Sequence, residues 1–273
     1  MHRFFVGGAV DAVLERAEDV AASPPPGPPL AEGAVVSLSE ADAAHAARVL
    51  RLSPGSPVVV CDGRGYEYEA ELVTVEPRAA TARIKRGRLS AAEPWLALTL
   101  AQGIAKGDKM DLVVQKAVEV GVSRVIPLAT ARTVVRLEEA KAAARVQRWQ
   151  RIAYEAAKQS GRARIPAVAA VHSWSELWRR DDLGVVLVPW EGEPARRLLE
   201  TARALLPARP AQGGPSIQLT VVIGPEGGLT EDEIALAREN GAYTVSLGPR
   251  ILRTETAGLV AASLVLAAAG DLG

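Results

Sequence analysis

The order of apolar and polar positions divides the chain into a β-rich first third and a remainder in which strands and helices alternate. In residues 66–73, Tyr66, Tyr68, Ala70 and Leu72 alternate with Glu67, Glu69 and Glu71, the period of two that a half-buried strand requires. Val58, Val59 and Val60 predict a strand before it, and Asp62, Gly63, Arg64 and Gly65 a hairpin turn between the two. Ser39 can cap the amide of Asp42 and open a short helix that residues 43–50 continue. Residues 23–29 hold five prolines and predict a surface loop. From residue 76 to 94 the periodicity weakens, with prolines near both ends, and we place a domain boundary there.

Beyond that boundary a strand is predicted at 96–100. A helix at 108–120 follows, with Met110, Val113, Val114, Ala117 and Val118 on one face and Gly121 as its C-cap. Residues 125–128 predict a strand, and 138–160 a long helix with Val146, Trp149, Ile152, Ala153 and Ala156 on its buried side. The continuous apolar runs at 185–189 and 219–223 suit strands covered on both faces. Thr230 and Glu233 form a capping box for a helix that ends at Gly241, followed by a strand at 243–247. The last helix, 254–269, is apolar on nearly all sides; its 13-residue run at 257–269 is short for a bilayer and fits a buried helix. Such alternation predicts an α/β fold around a mostly parallel sheet.

Composition changes this picture little. The chain has 273 residues, 48% hydrophobic and 23% charged, which excludes a disordered or collagen-like chain and suits one large or two modest domains. A single cysteine, Cys61, excludes an intramolecular disulfide framework and suits a reducing cytoplasm; it is expected to be a small buried apolar residue. Asp11 and Glu15 follow the apolar start without a cleavage-type site, which argues against a signal peptide. No phosphate-binding P-loop, dinucleotide fingerprint or nucleophile elbow is present. His2, His45 and His172 stand far apart without ligand-spaced partners, which argues against a metal site.

Two loops carry the chemistry. One is Ile223, Gly224, Pro225, Glu226, Gly227, Gly228, after a predicted strand; the other runs from Leu247 and Gly248 through Pro249, Arg250, Ile251, Leu252, Arg253, Thr254, Glu255 and Thr256 to Ala257. Ligands of open α/β sheets bind outside the carboxyl ends of the strands. Glycines there let backbone groups approach a ligand, although each loop alone is also explained as a tight turn. Trp149 lies on an apolar helix face and is expected in the core, whereas Trp190, just after a strand, could line a pocket or simply pack.

The strings IGPEGGLTEDEI and LGPRILRTETA resemble the C-terminal signature of the RsmE-type family, the 16S ribosomal RNA uridine-N3 methyltransferases of the SPOUT superfamily. Arg3-Phe4-Phe5-Val6, His45 with Val49-Leu50-Arg51, the helix segment from Gln115 and Lys116 to Val122, and Glu155 through Gln159 to Arg162 resemble its other elements in order. The resemblance implies a PUA-like β-barrel RNA-recognition domain over residues 1–75, a linker at 76–94, and a SPOUT methyltransferase α/β domain over 95–273 with a C-terminal trefoil knot. It implies S-adenosylmethionine as cofactor, held by loops around Val188 and Pro189, from Ile223 to Gly228, and at Leu247, Gly248, Ile251, Leu252, Thr256 and Ala257. It further implies a cytoplasmic homodimer acting on small-subunit ribosomal RNA, naked or assembled, without metal or membrane. Arg3, His45, Arg48, Arg51, Lys116, Gln159 and Arg162 are then the candidate RNA contacts.

Chemically, uridine N3 carries a proton at neutral pH and points to the pairing edge, so the base must be unpaired and deprotonated. Arg253 is the candidate for stabilising the resulting anion. Glu255 could accept a hydrogen bond, orient Arg253 or act as base; it could also simply complement the dipole of the last helix. A same-superfamily enzyme for another nucleotide, a non-catalytic RNA-binding module and an enzyme for a phosphorylated metabolite are the alternatives. Intact loops argue against the second, and Pro225 and Glu226 in the Gly-rich loop against the third.

The 32 cations and 32 acids cancel, but not locally. Residues 78–88 carry Arg78, Arg83, Lys85, Arg86 and Arg88 with no acid. Residues 132–164 carry nine cations against three acids, the pattern of a solvated helix face or of a phosphate-facing stripe. RNA affinity should therefore fall with salt by a moderate slope in a log–log titration; a salt-independent affinity would contradict these patches.

Overall fold

A computed structural model of the chain describes residues 1–6, 8, 29–134, 139–209 and 217–273. Residues 23–28 of the proline-rich stretch, and Arg136 and Glu138, lie outside the described residues. The chain divides into two units, the described parts of residues 1–93 with Tyr154–Ile165, and those of Pro94–Ala153 with Pro166–Gly273.

The first unit is a five-stranded sheet in the order β1-β3-β4-β5-β2, with β1 His2–Phe5, β2 Val35–Ser37, β3 Pro57–Cys61, β4 Tyr66–Glu76 and β5 Ala79–Leu89. A bridge between Val6 and Leu38 joins the ends of its two edge strands, so the sheet begins to close on itself. Phe4, Val58, Val60, Tyr68, Leu72 and Ile84 fill its interior. Glu67 breaks the expected alternation. It is buried because Arg3, Arg88 and Ser90 hold its carboxylate at 2.9, 2.7 and 3.3 Å.

The stretch 76–94 is not a linker. It contains β5, eleven residues paired with both β4 and β2. Its inward positions, Ala80, Ala82 and Ile84, are few and mostly small, and exposed cations occupy the outward ones, which hides the period of two. Ser39 caps helix α1, Glu40–Ala44, through the Asp42 amide as expected. The predicted continuation is instead a π-type turn, His45–Val49. Arg51 follows with φ of 51°, the left-handed region that non-glycine residues seldom enter.

The second unit is a parallel sheet in the order β12-β10-β11-β6-β7-β8, with β9 also pairing β7. Its strands are β6 Ala97–Gly103, β7 Arg124–Ala129, β8 Ala167–Val168, β9 His172–Ser173, β10 Val185–Pro189, β11 Gln218–Ile223 and β12 Tyr243–Val245. Its helices are α2 Lys109–Val120, α3 Glu139–Gln159 as far as Ala153, α4 Trp174–Leu177, α5 Leu198–Leu205, α6 Glu231–Glu239 and α7 Thr254–Ala268. Gly121 ends α2 at φ 115°, and the Thr230–Glu233 capping box opens α6, both as predicted. Met110, Val113, Val114, Ala117 and Val118 are all buried, as the helical period required. The chain crosses from β6 to β7 and β8 on one side and later builds β10, β11 and β12 on the other. The order therefore reverses between β6 and β11, where α/β sheets open a crevice.

Among the described residues of the basic stretch 132–164, several cations are paired and do not form a continuous phosphate-facing stripe. Arg148 pairs with Asp111, Lys158 with Asp42 and Arg162 with Glu93. From Tyr154 onward the stretch belongs to the first unit, where Asp42 is wholly buried. Its carboxylate accepts hydrogen bonds from Lys158 Nζ at 2.6 Å, Tyr154 Oη at 3.0 Å and Phe5 N at 3.4 Å. Removing one partner of such a pair leaves an uncompensated charge. Asp42→Ala should cost about 3–5 kcal/mol, read as a lower denaturant midpoint at unchanged m-value.

Candidate active site

At the carboxyl ends of β12, β10 and β11 the second unit opens a cleft of about 750 Å³. Pro189, Trp190 and Glu191 leave β10 along one wall, Ile223 to Pro225 with Glu226 and Gly228 follow β11, and residues 246–254 with Ala257 close the third side. The neighbouring end of β6 underlies the Gly-rich loop. A Cβ on Gly103 would lie 2.4 Å from Pro225 N and 2.7 Å from Gly224 C, so only glycine lets the Gly-rich loop cross β6 there. That loop then turns tightly, Gly228 N donating to Pro225 O at 2.9 Å with Gly228 at φ 70°.

Two sets of contacts join this loop to the start of α7. Gln102 Nε2 donates to Thr254 Oγ1 at 2.8 Å, and Thr254 Oγ1 donates to Gly224 O at 2.7 Å; Gln102 and Thr254 are buried and Gly224 half-buried. Lys109 Nζ lies 3.2 Å from Glu226 Oε1 and 3.4 Å from Glu255 Oε2. Glu226 Oε1 also accepts from Lys106 N at 3.0 Å. The hydrogen bond to Glu226, reinforced by Glu255, holds the Lys109 ammonium above the ordinary lysine value. Burial opposes ionisation of Glu226, but the Lys106 amide and Lys109 prevail and keep its carboxyl below the usual range.

The structure brings most of the predicted cofactor residues together. Pro189, Ile223, Gly224, Pro225, Glu226, Gly228, Leu247, Gly248, Ile251, Leu252 and Ala257 all line the cleft. Val188 does not: it is fully buried within the sheet. Gly227 turns its carbonyl to Arg132 Nη1 at 2.9 Å, and Thr256 lies exposed on the first turn of α7. Trp190 lines the cleft beneath the guanidinium of Arg238, 5.3 Å from its ring centre, whereas Trp149 is core and donates to Asp111 at 3.1 Å. Arg253 is exposed at the cleft, and its carbonyl accepts the Thr256 and Ala257 amides, each at 2.8 Å. Among the described residues no cluster of His, Cys, Asp and Glu is placed to hold a metal, and no helix is long and apolar enough to cross a membrane.

The RNA candidates fare unequally. His45, Arg48, Arg51 and Gln159 are exposed, Arg3 is largely engaged by Glu67 and Cys61, and Lys116 pairs with Glu119. Arg162 is a correction. Its side chain is 3% exposed and clamped to Glu93 at 2.9 Å, so it holds the first unit together instead of facing a ligand. Cys61 is buried as expected, and burial pushes its thiol up to about 12 despite the adjacent Arg3. Gln102 and Lys109 were not anticipated. Gln102 lies beyond the strand predicted at 96–100, and the one signal for Lys109 was a cation in the first turn of a predicted helix, where the dipole disfavours it.

Together, the two units define a class, an α/β RNA methyltransferase domain preceded by a PUA domain. The family model described as RNA methyltransferase domain matches residues 92–266, and that described as RNA methyltransferase PUA domain matches 38–85. The chain is 35% identical over 235 residues to Ribosomal RNA small subunit methyltransferase E of Bacillus subtilis, covering 86% of this chain and 90% of that one. It is 32% identical over 237 residues to the protein of the same name from Mycobacterium tuberculosis, covering 85% and 86%. The structure of Ribosomal RNA small subunit methyltransferase E from Neisseria gonorrhoeae, bound to S-adenosyl methionine, matches at TM-score 0.76 and 30% identity over 98% of this chain and 97% of that one. A methyltransferase from Legionella pneumophila in complex with the cofactor matches at 0.72 and 29% over 97% of each chain. This chain belongs to the ribosomal RNA small subunit methyltransferase E family.

The cleft depends on the glycine under Pro225. Gly103→Ala should lower the melting temperature by several degrees, about 1–3 kcal/mol of overpacking, measured by calorimetry against wild type.

Proposed function

We propose that this chain is an S-adenosylmethionine-dependent methyltransferase that methylates N3 of a specific uridine in 16S ribosomal RNA. The observation that carries this reading is the cleft between the Gly-rich loop and the 246–254 loop, in a chain whose relatives were solved with that cofactor. The site's chemistry fits the cofactor. Its volume is that of a small-molecule site, Gly228 and Gly248 leave open space beside their backbone, and Glu191 and Glu226 bring negative charge for a cationic ligand. Pro189, Ile223, Gly224, Pro225, Glu226, Gly228, Leu247, Gly248, Ile251, Leu252 and Ala257 would hold it. When bound, it supplies an electrophilic methyl group.

The rest falls to this chain's own residues. Unpairing the uridine costs a few kcal/mol, and alignment at the cleft recovers part of it. Arg253 stabilises the negative charge that develops on the uracil as N3 loses its proton. Glu255 orients that site through Lys109 and the first turn of α7. RNA is drawn to the first unit by exposed His45, Arg48 and Arg51 and by the cations of β5, with Arg3 and Gln159 as further contacts. The β-sheet unit thus serves as a PUA-like barrel.

The finer architecture belongs to the same reading. After edge strand β12 the chain returns to lay α7 against β6 and β11 in the middle of the sheet, which supports the trefoil knot. Leu259, Val260 and Leu264 of α7 stay half-buried in the single chain, which supports a homodimer that covers them. A buried lone cysteine supports a cytoplasmic setting.

Calorimetric titration with S-adenosylmethionine should give saturable binding, and labelled cofactor should mark one uridine of small-subunit RNA from a strain lacking this protein, mapped by mass spectrometry. No heat and no label would sink the reading. Arg253→Ala should lower kcat about 100-fold while cofactor affinity stays within about threefold.

A further inference from the structure

Lys109 occupies a position that local physics disfavours. It is the first residue of α2, whose positive dipole end repels a cation, and its side chain is about one-third exposed. Two carboxylates hold it there: Glu226 of the Gly-rich loop at 3.2 Å and Glu255 of α7 at 3.4 Å. The Glu255 oxygen is buried from solvent, and its ion-pair partner is this ammonium. Without it, two carboxylates would face each other at no more than the sum of those distances, one of them in a low-dielectric setting.

Glu255 stands two residues after Arg253, in the turn whose amides at Thr256 and Ala257 bind the Arg253 carbonyl. Thr254, between them, is already tied to Gly224. The turn is therefore fastened twice to the Gly-rich loop, by a neutral hydrogen bond on one side and a charge bridge on the other. We propose that Lys109 is a positioning residue for methyl transfer, bridging Glu226 and Glu255 so that the first turn of α7, and Arg253 with it, is locked against the Gly-rich loop. This rests on the methyltransferase reading for its catalytic half; the bridge itself rests on geometry alone.

The test compares wild type with Lys109→Met, Lys109→Arg and the double variant Lys109→Met/Glu226→Gln. Amide hydrogen exchange is followed on the full chain without cofactor. Lys109→Met should speed exchange at Thr256 and Ala257 about tenfold, leaving Val265 and Leu266 at the far end of the helix unchanged. The arginine variant should restore protection, and the double variant should recover part of it by removing the repulsion. In methyl transfer to small-subunit RNA, Lys109→Met should lower kcat at least about tenfold with KM for RNA within about threefold. Arginine should rescue that loss too.

Unchanged exchange at Thr256 and Ala257, an equal rise along the whole helix, or failure of arginine to rescue would each overturn the bridge. Local exchange that changes as expected with wild-type turnover in Lys109→Met would overturn the catalytic role. A wild-type protein that transfers no methyl group would instead remove the methyltransferase reading, with the exchange result still deciding the bridge.

Discussion

Thr254 Oγ1 donates to the carbonyl of Gly224 and accepts from Gln102, and the cleft depends on that pair of bonds. The first residue of the last helix is tied to the start of the Gly-rich loop, so fixing one fixes the other. The packing beneath permits no alternative. Gly103 leaves room for Pro225, and a Cβ on Gly258 would meet Gln102 Oε1 at 2.6 Å, so small residues let α7 and the loop descend onto β6. A site made of three loops is in this way given the rigidity of the sheet under it. Rigid placement is what proximity and preorganised electrostatics require.

Charge is used in two distinct ways. Inside each unit it is paired and structural: Asp42 with Lys158, Glu93 with Arg162, and Asp182 with Arg124 and Arg180. Burial alone would raise the Asp182 carboxyl, but Arg180 and Arg124 hold it down at about 2. On the surface, by contrast, Arg78 before β5, Arg83 and Arg86 of β5, Arg48 of the π-type turn and Arg51 after it are exposed. A chain of zero net charge can therefore present local basic surfaces without a strong long-range field. The left-handed Arg51 adds local backbone strain to one of those surfaces, a feature that clusters at functional positions.

Much of the second unit was legible because its signals are local. The apolar face of α2, the Thr230–Glu233 capping box and the unbroken runs of β10 and β11 each follow from neighbours a few residues apart. The two loops were also legible, since glycines after a buried strand mark close backbone approach. The first unit was harder. β5 hides behind small inward residues and outward cations, and Glu67 is buried against partners that include Arg3, 64 residues away.

By itself the sequence determined the alternation of elements, the caps, the two Gly-bearing loops and the family, because period, capping and motif are read within short windows. Only the tertiary structure decided which charges are partners and which are free surface. It buried Arg162 against Glu93, 69 residues away, and brought Lys109 between Glu226 and Glu255, 117 residues from the first of these. Such choices rest on desolvation and on distances across the fold, and no local pattern records them.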